Sequence, residues 1–134
     1  MANELYQKQI IELARESRKR VRIDAPDTTI RFDNPLCGDR IDLDFSIEDG
    51  RISDIGFKVR GCALCEASSE VLANNAIGYQ LQELNTVGNK LSDYLVGTLD
   101  NPDWEGFEVF EPVKGVPPRH ECVLLPFNAV KKAV

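Results

Sequence analysis

"IDLDFSIEDGRISDIGFKVRGCALCEASSEVLANN", residues 41–75, changes its period half-way along. Ile41, Leu43, Phe45 and Ile47 alternate with Asp42, Asp44 and Ser46, the pattern of a strand with one buried face. "EDGR" at 48–51 supplies an Asp-Gly turn, and Ile55, Phe57 and Val59 resume the alternation, so the two runs are predicted to pair as an antiparallel hairpin. Gly61 then interrupts the strand. From Ala63 to Ile77 there is neither Pro nor Gly, and a helix starting beside Cys62 is the expected continuation.

Outward from this core, "TTIRF" at 28–32 reads as a further strand of the same sheet. Residues 3–20 place Tyr6, Ile10, Leu13 and Ser17 at helical spacing, with Glu4 early and Arg18, Lys19 and Arg20 late, an order that suits the helix dipole. That basic cluster reads as a solvated helix end, with docking of a partner as the alternative. Residues 80–97 form another predicted helix. "GTLDNPDWEGFEVFEPVKGVPP", 97–118, holds three Gly and four Pro in 22 residues and is expected to be a loop or irregular insert rather than a core element. Within it, Trp104 either anchors a partner or pins the loop to the core. "RHECVLLPFNAVKKAV" ends the chain as a helix in which Pro126 is expected to make a kink or mark the true start. The fold class expected is α+β, a small antiparallel sheet of about three strands with helices packed against it. The 134 residues are read as one domain, 1–134.

Composition narrows the function classes. With 43% hydrophobic and 28% charged residues, and no apolar run near the roughly 20 residues of a bilayer span, a soluble protein is expected. The opening "MANELYQKQIIELARESRKRV" lacks the order of a secretory signal, so a cytoplasmic location is expected. Sixteen basic residues against 22 acidic give a net charge of −6, which disfavours nucleic acid as a partner.

Four cysteines in a reducing compartment point to metal binding or reactivity rather than disulfides. Cys37 stands two residues before Asp39, just ahead of the first alternating strand, and an extended chain presents both to one side. Cys62 stands where the neighbouring strand ends, so a hairpin can bring it to the same place. The helix start beside Cys62 favours thiolate and can lower a cysteine pKa from about 8.5 to roughly 3.5–7.5. Cys122 also stands near a helix start, with Arg119 one turn earlier, and can supply a fourth ligand. Three thiolates and a carboxylate suit zinc or iron-sulfur chemistry. Cys62 and Cys65 also form a lone Cys-x-x-Cys, open to reading as a redox dithiol, although the flanks carry no Gly-Pro or Trp. His120, two positions from Cys122 on a helix, faces away from it and reads as a surface residue. Asp42 and Asp44 are expected to meet solvent.

"NPLCGDRIDL", "ISDIGFKVRGCALCEASSEVL" and "RHECVLLPFNAV" together resemble the U-type iron-sulfur cluster assembly scaffolds, comprising IscU, SufU and the N-terminal domain of NifU. The likeness implies a SufE/NifU-like fold and makes Cys37, Asp39, Cys62 and Cys122 the set that holds metal or cluster. The 60-residue spacing from Cys62 to Cys122, the insert at 97–118, and Glu121 where IscU-like proteins carry histidine are similar to the SufU branch. The resemblance therefore implies zinc and/or a [2Fe-2S] cluster as cofactor. It implies a pyridoxal-phosphate-dependent cysteine desulfurase as sulfur donor, apo iron-sulfur proteins or carriers as recipients, and no membrane. Its chemistry would be thiol-persulfide exchange, with a histidine of the desulfurase replacing one thiolate on zinc and Cys37 as candidate acceptor. Such a protein is mainly a scaffold, at most a zinc-dependent sulfurtransferase. A thiol-disulfide protein built on Cys62 and Cys65, or a structural zinc module, are the alternatives. Cys65 stands where the family carries a small or polar residue, and alternative ligand, resolving thiol and passive substitution all remain open for it.

Overall fold

The computed structural model describes residues 2–36 and 38–134, with side chains from Leu5 onward. Three strands, β1 (Thr28–Asp33), β2 (Arg40–Glu48) and β3 (Arg51–Arg60), form one antiparallel sheet in the order β1-β2-β3. Four α-helices accompany it, α1 (Ala2–Ser17), α2 (Ala63–Asn75), α3 (Leu81–Leu95) and α4 (His120–Ala133). No helix among the described residues is long and apolar enough to cross a membrane.

The β2–β3 hairpin closes as its sequence dictates. Glu48 pairs with Arg51, and both central residues, Asp49 at φ 53 and Gly50 at φ 77, lie in the left-handed region that the mirror-image turns of tight hairpins need. The register slips once, where Ser46 faces Asp54 but Ile47 faces Ile52. The extra residue, Ser53, is a bulge, and it lets both Ile52 and Ile55 point inward although they are three apart. Ile41, Leu43 and Phe45 are fully buried on the inner face. Helices α4 and α2 cover that face, α4 over β1 and β2 and α2 against β3, while α1 packs on α2 and α3 on α4.

The opposite face is covered too, which the alternation alone does not reveal. The chain leaving α1 crosses it so closely that a Cβ on Gly56 would lie 2.6 Å from the Val21 carbonyl oxygen and 2.9 Å from the Ile23 nitrogen. Asp44, opposite Gly56, is consequently 0% exposed rather than solvated. Its carboxylate accepts from Arg22 Nε at 2.6 Å, a second Arg22 nitrogen at 2.9 Å, Thr29 Oγ1 at 2.7 Å and the Ile23 N–H at 3.1 Å. Asp42 is likewise engaged, by its cross-strand neighbour Arg31 at 2.7 and 3.2 Å. The basic residues after α1 are similarly committed, Arg18 to Glu66 and Arg20 to Glu70, so the cluster is an internal clasp more than a free docking face.

The Gly/Pro-rich insert departs from expectation. Residues 107–113 and 117–119 wind as 3-10 turns, and Phe107, Val109, Phe110 and Val113 are buried, two of them completely. Irregular backbone and core packing coexist because closely spaced aromatic and aliphatic residues can bury their side chains without a regular repeat. Trp104 pins the segment, donating Nε1–H to the Tyr79 hydroxyl at 3.0 Å and meeting Phe107 at 4.9 Å between ring centres. Helix α4 runs unbroken through Pro126. The proline lies one turn past Cys122, where it removes only the amide that would bond the carbonyl of Cys122.

Asp44 sets an acid-sensitive element of stability. Burial pushes its carboxyl up, but the bonds from Arg22, Thr29 and Ile23 outweigh burial and hold it below the ordinary 3.8. A depressed folded-state pKa contributes stability in full above that value, and the contribution is lost as pH falls through the folded pKa. Asp44→Ala is expected to lower unfolding free energy by about 2–3 kcal/mol at neutral pH. Denaturant titration at pH 7 and below pH 4 checks this, with the gap between the variant and the parent narrowing in acid.

Candidate metal centre

Arg40 at the start of β2 pairs with Arg60 at the end of β3. One residue further out, Asp39 therefore lies against Gly61. A Cβ on Gly61 would fall 3.0 Å from the Asp39 carboxyl carbon and 3.1 Å from Oδ1. The residue that interrupts the strand is thus the space into which Asp39 fits. The turn before Asp39 is held by Asn34, buried to 2% exposure, whose N–H donates to the Asp39 carbonyl at 2.7 Å and whose side-chain oxygen accepts from the Leu36 N–H.

Beyond Gly61, Cys62 is the N-cap of α2, and Cys65 stands in its first turn. Cys122 stands in the first turn of α4. Two helix N-termini and the open end of a hairpin converge here. The ligating atoms of Asp39, Cys62, Cys65 and Cys122 all lie within 4.8 Å of one another. Cys65 Sγ donates to Asp39 Oδ2 at 3.1 Å and lies 3.7 Å from Cys62 Sγ, and Cys122 Sγ lies 3.7 Å from the same Asp39 oxygen. A tetrahedral zinc with bonds of about 2.3 Å to sulfur sets its ligands about 3.8 Å apart. The donor set and its spacing therefore fit a metal of that kind.

The electrostatics separate the two neighbouring thiols. Cys62 is lowered to about 5, first by the Cys65 thiol beside it, then by the Cys65 and Leu64 backbone N–H groups and the Cys122 thiol, against the opposing effect of burial. No cap hydrogen bond closes fully onto its sulfur, so these N–H groups act as aligned dipoles at the helix start. Cys65, at 0% exposure, is raised by its contact with Cys62, by burial and by its bond to Asp39. Position thus favours the ionised form at Cys62 and the protonated form at Cys65.

Of the residues expected to ligate, the structure brings Asp39, Cys62 and Cys122 together. Cys37 lies outside the described residues. Cys65 joins the cluster, and the signal was its three-residue spacing from Cys62, which puts an N-cap side chain beside the third helical residue. His120 sits apart, its Nε2 facing the carbonyls of Val113 and Lys114 at 3.1 and 3.2 Å, where a ring N–H ties the insert to α4. Arg119 is exposed at the entry to α4. Glu66 is taken by Arg18, and Glu121 accepts from Asn128 along α4, so neither carboxylate enters the group.

A model of the NifU-like N-terminal domain matches residues 5–104. The chain belongs to that family. It is 28% identical to the iron-sulfur cluster assembly scaffold protein IscU of Streptococcus pyogenes, over 98% of this chain and 84% of that protein. It is 27% identical to the zinc-dependent sulfurtransferase SufU of Bacillus subtilis, over 78% of this chain and 73% of that one. Among solved structures it superposes on the N-terminal part of a NifU-like protein from Brucella abortus with a TM-score of 0.80 and 31% identity, covering 93% and 88% of the two chains. A scaffold protein of the SUF system from Fervidobacterium islandicum gives a TM-score of 0.82 at 25% identity, covering 92% of each. The family's fold, an antiparallel sheet with helices packed on it, is the fold found here.

Because Asp39 occupies the space that Gly61 leaves, Gly61→Ala is expected to shift the carboxylate by a few tenths of an ångström from its place beside the thiols. A change that reorients a ligand through its neighbour is expected to weaken zinc binding by on the order of 10–100-fold. Competition titration against a chromophoric zinc chelator measures it, with unchanged circular dichroism showing that the fold is intact.

Proposed function

We propose that this protein is a sulfur acceptor and scaffold of iron-sulfur cluster assembly, taking persulfide sulfur from a pyridoxal-phosphate-dependent cysteine desulfurase. The observation that carries the reading is the convergence of one carboxylate and three thiols, all within 4.8 Å, in a member of the NifU-like N-terminal domain family. In this reading Asp39, Cys62 and Cys122 hold metal together with Cys37, and Cys65 and Arg119 are accessory. The occupant is zinc, or a nascent [2Fe-2S] cluster carried as cargo toward apo iron-sulfur proteins. The family relatives named for scaffold and for zinc-dependent sulfurtransferase activity support both. The place of work is the cytoplasm, and residues 1–134 act as one domain with the insert at 97–118 built into its core.

Each residue has a task in this chemistry. Cys37 is the acceptor: its thiolate attacks the outer sulfur of the donor's persulfide, the donor S–S bond breaks, the donor cysteine leaves as thiolate, and the sulfur stays on Cys37. Bound zinc would supply a Lewis acid that keeps its cysteine ligands deprotonated at neutral pH. The N-termini of α2 and α4 place positive dipole ends toward Cys62 and Cys122 and favour the same ionised state. Asp39 is fixed by Gly61 and by the turn on Asn34, so the donor set is organised before metal arrives. Arg119 at the exposed rim offers positive charge where anionic sulfur enters.

Metal analysis of single variants tests the reading. Cys62→Ala and Cys122→Ala are each expected to lose affinity beyond the roughly 10–100-fold of an outer-sphere change. Cys37→Ala is expected to abolish stimulation of the desulfurase and uptake of sulfur by the chain. Full metal retention in Cys37→Ala and Cys122→Ala together would sink the proposed site.

The 3.7 Å approach of Cys62 and Cys65 favours a second reading, thiol-disulfide exchange with protein substrates. That reading predicts disulfide reductase activity in metal-free protein, lost in Cys65→Ser, and no response of a desulfurase on mixing.

A further inference from the structure

A cluster is built from sulfide, whereas a persulfide delivers sulfur at the sulfane level, two electrons more oxidised. Those electrons require a donor. The site itself holds a pair of thiols placed to supply them.

We propose that Cys65 is the resolving thiol of this centre, releasing sulfide from a persulfide on Cys62 by closing a Cys62–Cys65 disulfide. The inference rests on the sulfur-acceptor reading and extends it to the step after acceptance. Three observations carry it. The two sulfurs lie 3.7 Å apart, close to the roughly 3–3.5 Å of a reacting pair, across the start of α2 with Cys62 at its N-cap. Cys65 has no exposed surface, so an outside protein cannot reach it, and its chemistry is confined to the groups it touches. Among the described residues those groups are Cys62 Sγ and Asp39 Oδ2, the latter accepting a hydrogen bond from the Cys65 thiol at 3.1 Å.

The step balances within the site. The sulfur accepted at Cys37 passes to Cys62 by exchange: the Cys62 thiolate attacks the outer sulfur, the bond from that sulfur to Cys37 breaks, and Cys37 leaves as thiolate. Cys65 Sγ attacks Cys62 Sγ as its proton leaves for the departing sulfur. The bond from Cys62 Sγ to the outer sulfur breaks, the outer sulfur departs as hydrosulfide, and the proton follows it, giving hydrogen sulfide. Both cysteine sulfurs are oxidised to the disulfide as the sulfane sulfur is reduced to sulfide. A dithiol reductant restores the two thiols by exchange. Sulfide is thereby produced beside Asp39 and Cys122, where a nascent cluster would take it up.

The test is a single turnover of the full chain. Desulfurase is loaded with persulfide, freed of cysteine by gel filtration, and mixed anaerobically with the chain without added reductant. The wild type is expected to release sulfide in proportion to chain and to lose the mass of two hydrogen atoms, with the bridge mapping to Cys62 and Cys65. Cys65→Ser and Cys65→Ala are expected to release none and to keep the mass of an added sulfur. Two variants of different polarity, each checked by circular dichroism, separate chemistry from misfolding. A wild-type chain that keeps its added sulfur, or equal sulfide release from wild type and both variants, overturns the resolving role and leaves acceptance standing. Absence of both sulfur uptake and sulfide release in every protein overturns the acceptor reading and this inference with it.

Discussion

The pairing of Arg40 with Arg60 at the open end of the β2–β3 hairpin fixes the position of nearly every group that matters. It is set at the far end by a two-residue turn whose left-handed conformations suit Asp49 and Gly50, and it is preserved along the strands by the buried row Ile41, Leu43 and Phe45. A slip of one residue would turn that row outward. The same slip would separate Asp39 from Gly61 and the carboxylate from the thiols. Register and the cluster of carboxylate and thiols are therefore one constraint, and hydrophobic burial enforces both.

The helices complete the centre by direction as much as by contact. α2 begins where β3 ends, so the chain has no length in which to wander between strand and Cys62. α4 comes from the far end of the sequence, and its placement depends on packing against β1, β2, α2 and α3 and on an insert whose four buried side chains hold the preceding segment down. Both helices present their N-termini to the cluster. Thiolate at Cys62 and thiol at Cys65 then follow from position: the N-cap receives the dipoles, and the third helical residue is sealed inside.

The sheet's other face shows what a period of two leaves out. Asp42 and Asp44 share a polar face, yet Asp44 is enclosed by the chain that returns from α1, and Arg18, Arg20 and Arg22 are drawn into ion pairs with Glu66, Glu70 and Asp44. Alternation reports which residues avoid the apolar core, and it cannot report whether water or another segment covers them. The same limit explains the insert. Its Gly and Pro spacing correctly indicates irregular backbone, but burial of Phe107 and Phe110 depends on a surface assembled by distant elements.

The sequence by itself determined the three strands, their turn, the helix starting at Cys62 and the family, because these rest on local periodicity, turn chemistry and short motifs. It also put Asp39 beside Cys62, since a hairpin brings the start of one strand against the end of the next, whereas Cys122 joined them only through the family resemblance and the helix start it occupies. Tertiary structure decided the standing of Cys65 and Gly61. Whether a cysteine one helical turn from another is a bystander or a member depends on which way α2 is rotated against the sheet, and that rotation is set by the whole core. Gly61 matters through the volume Asp39 fills, a contact across 22 residues that no local pattern records.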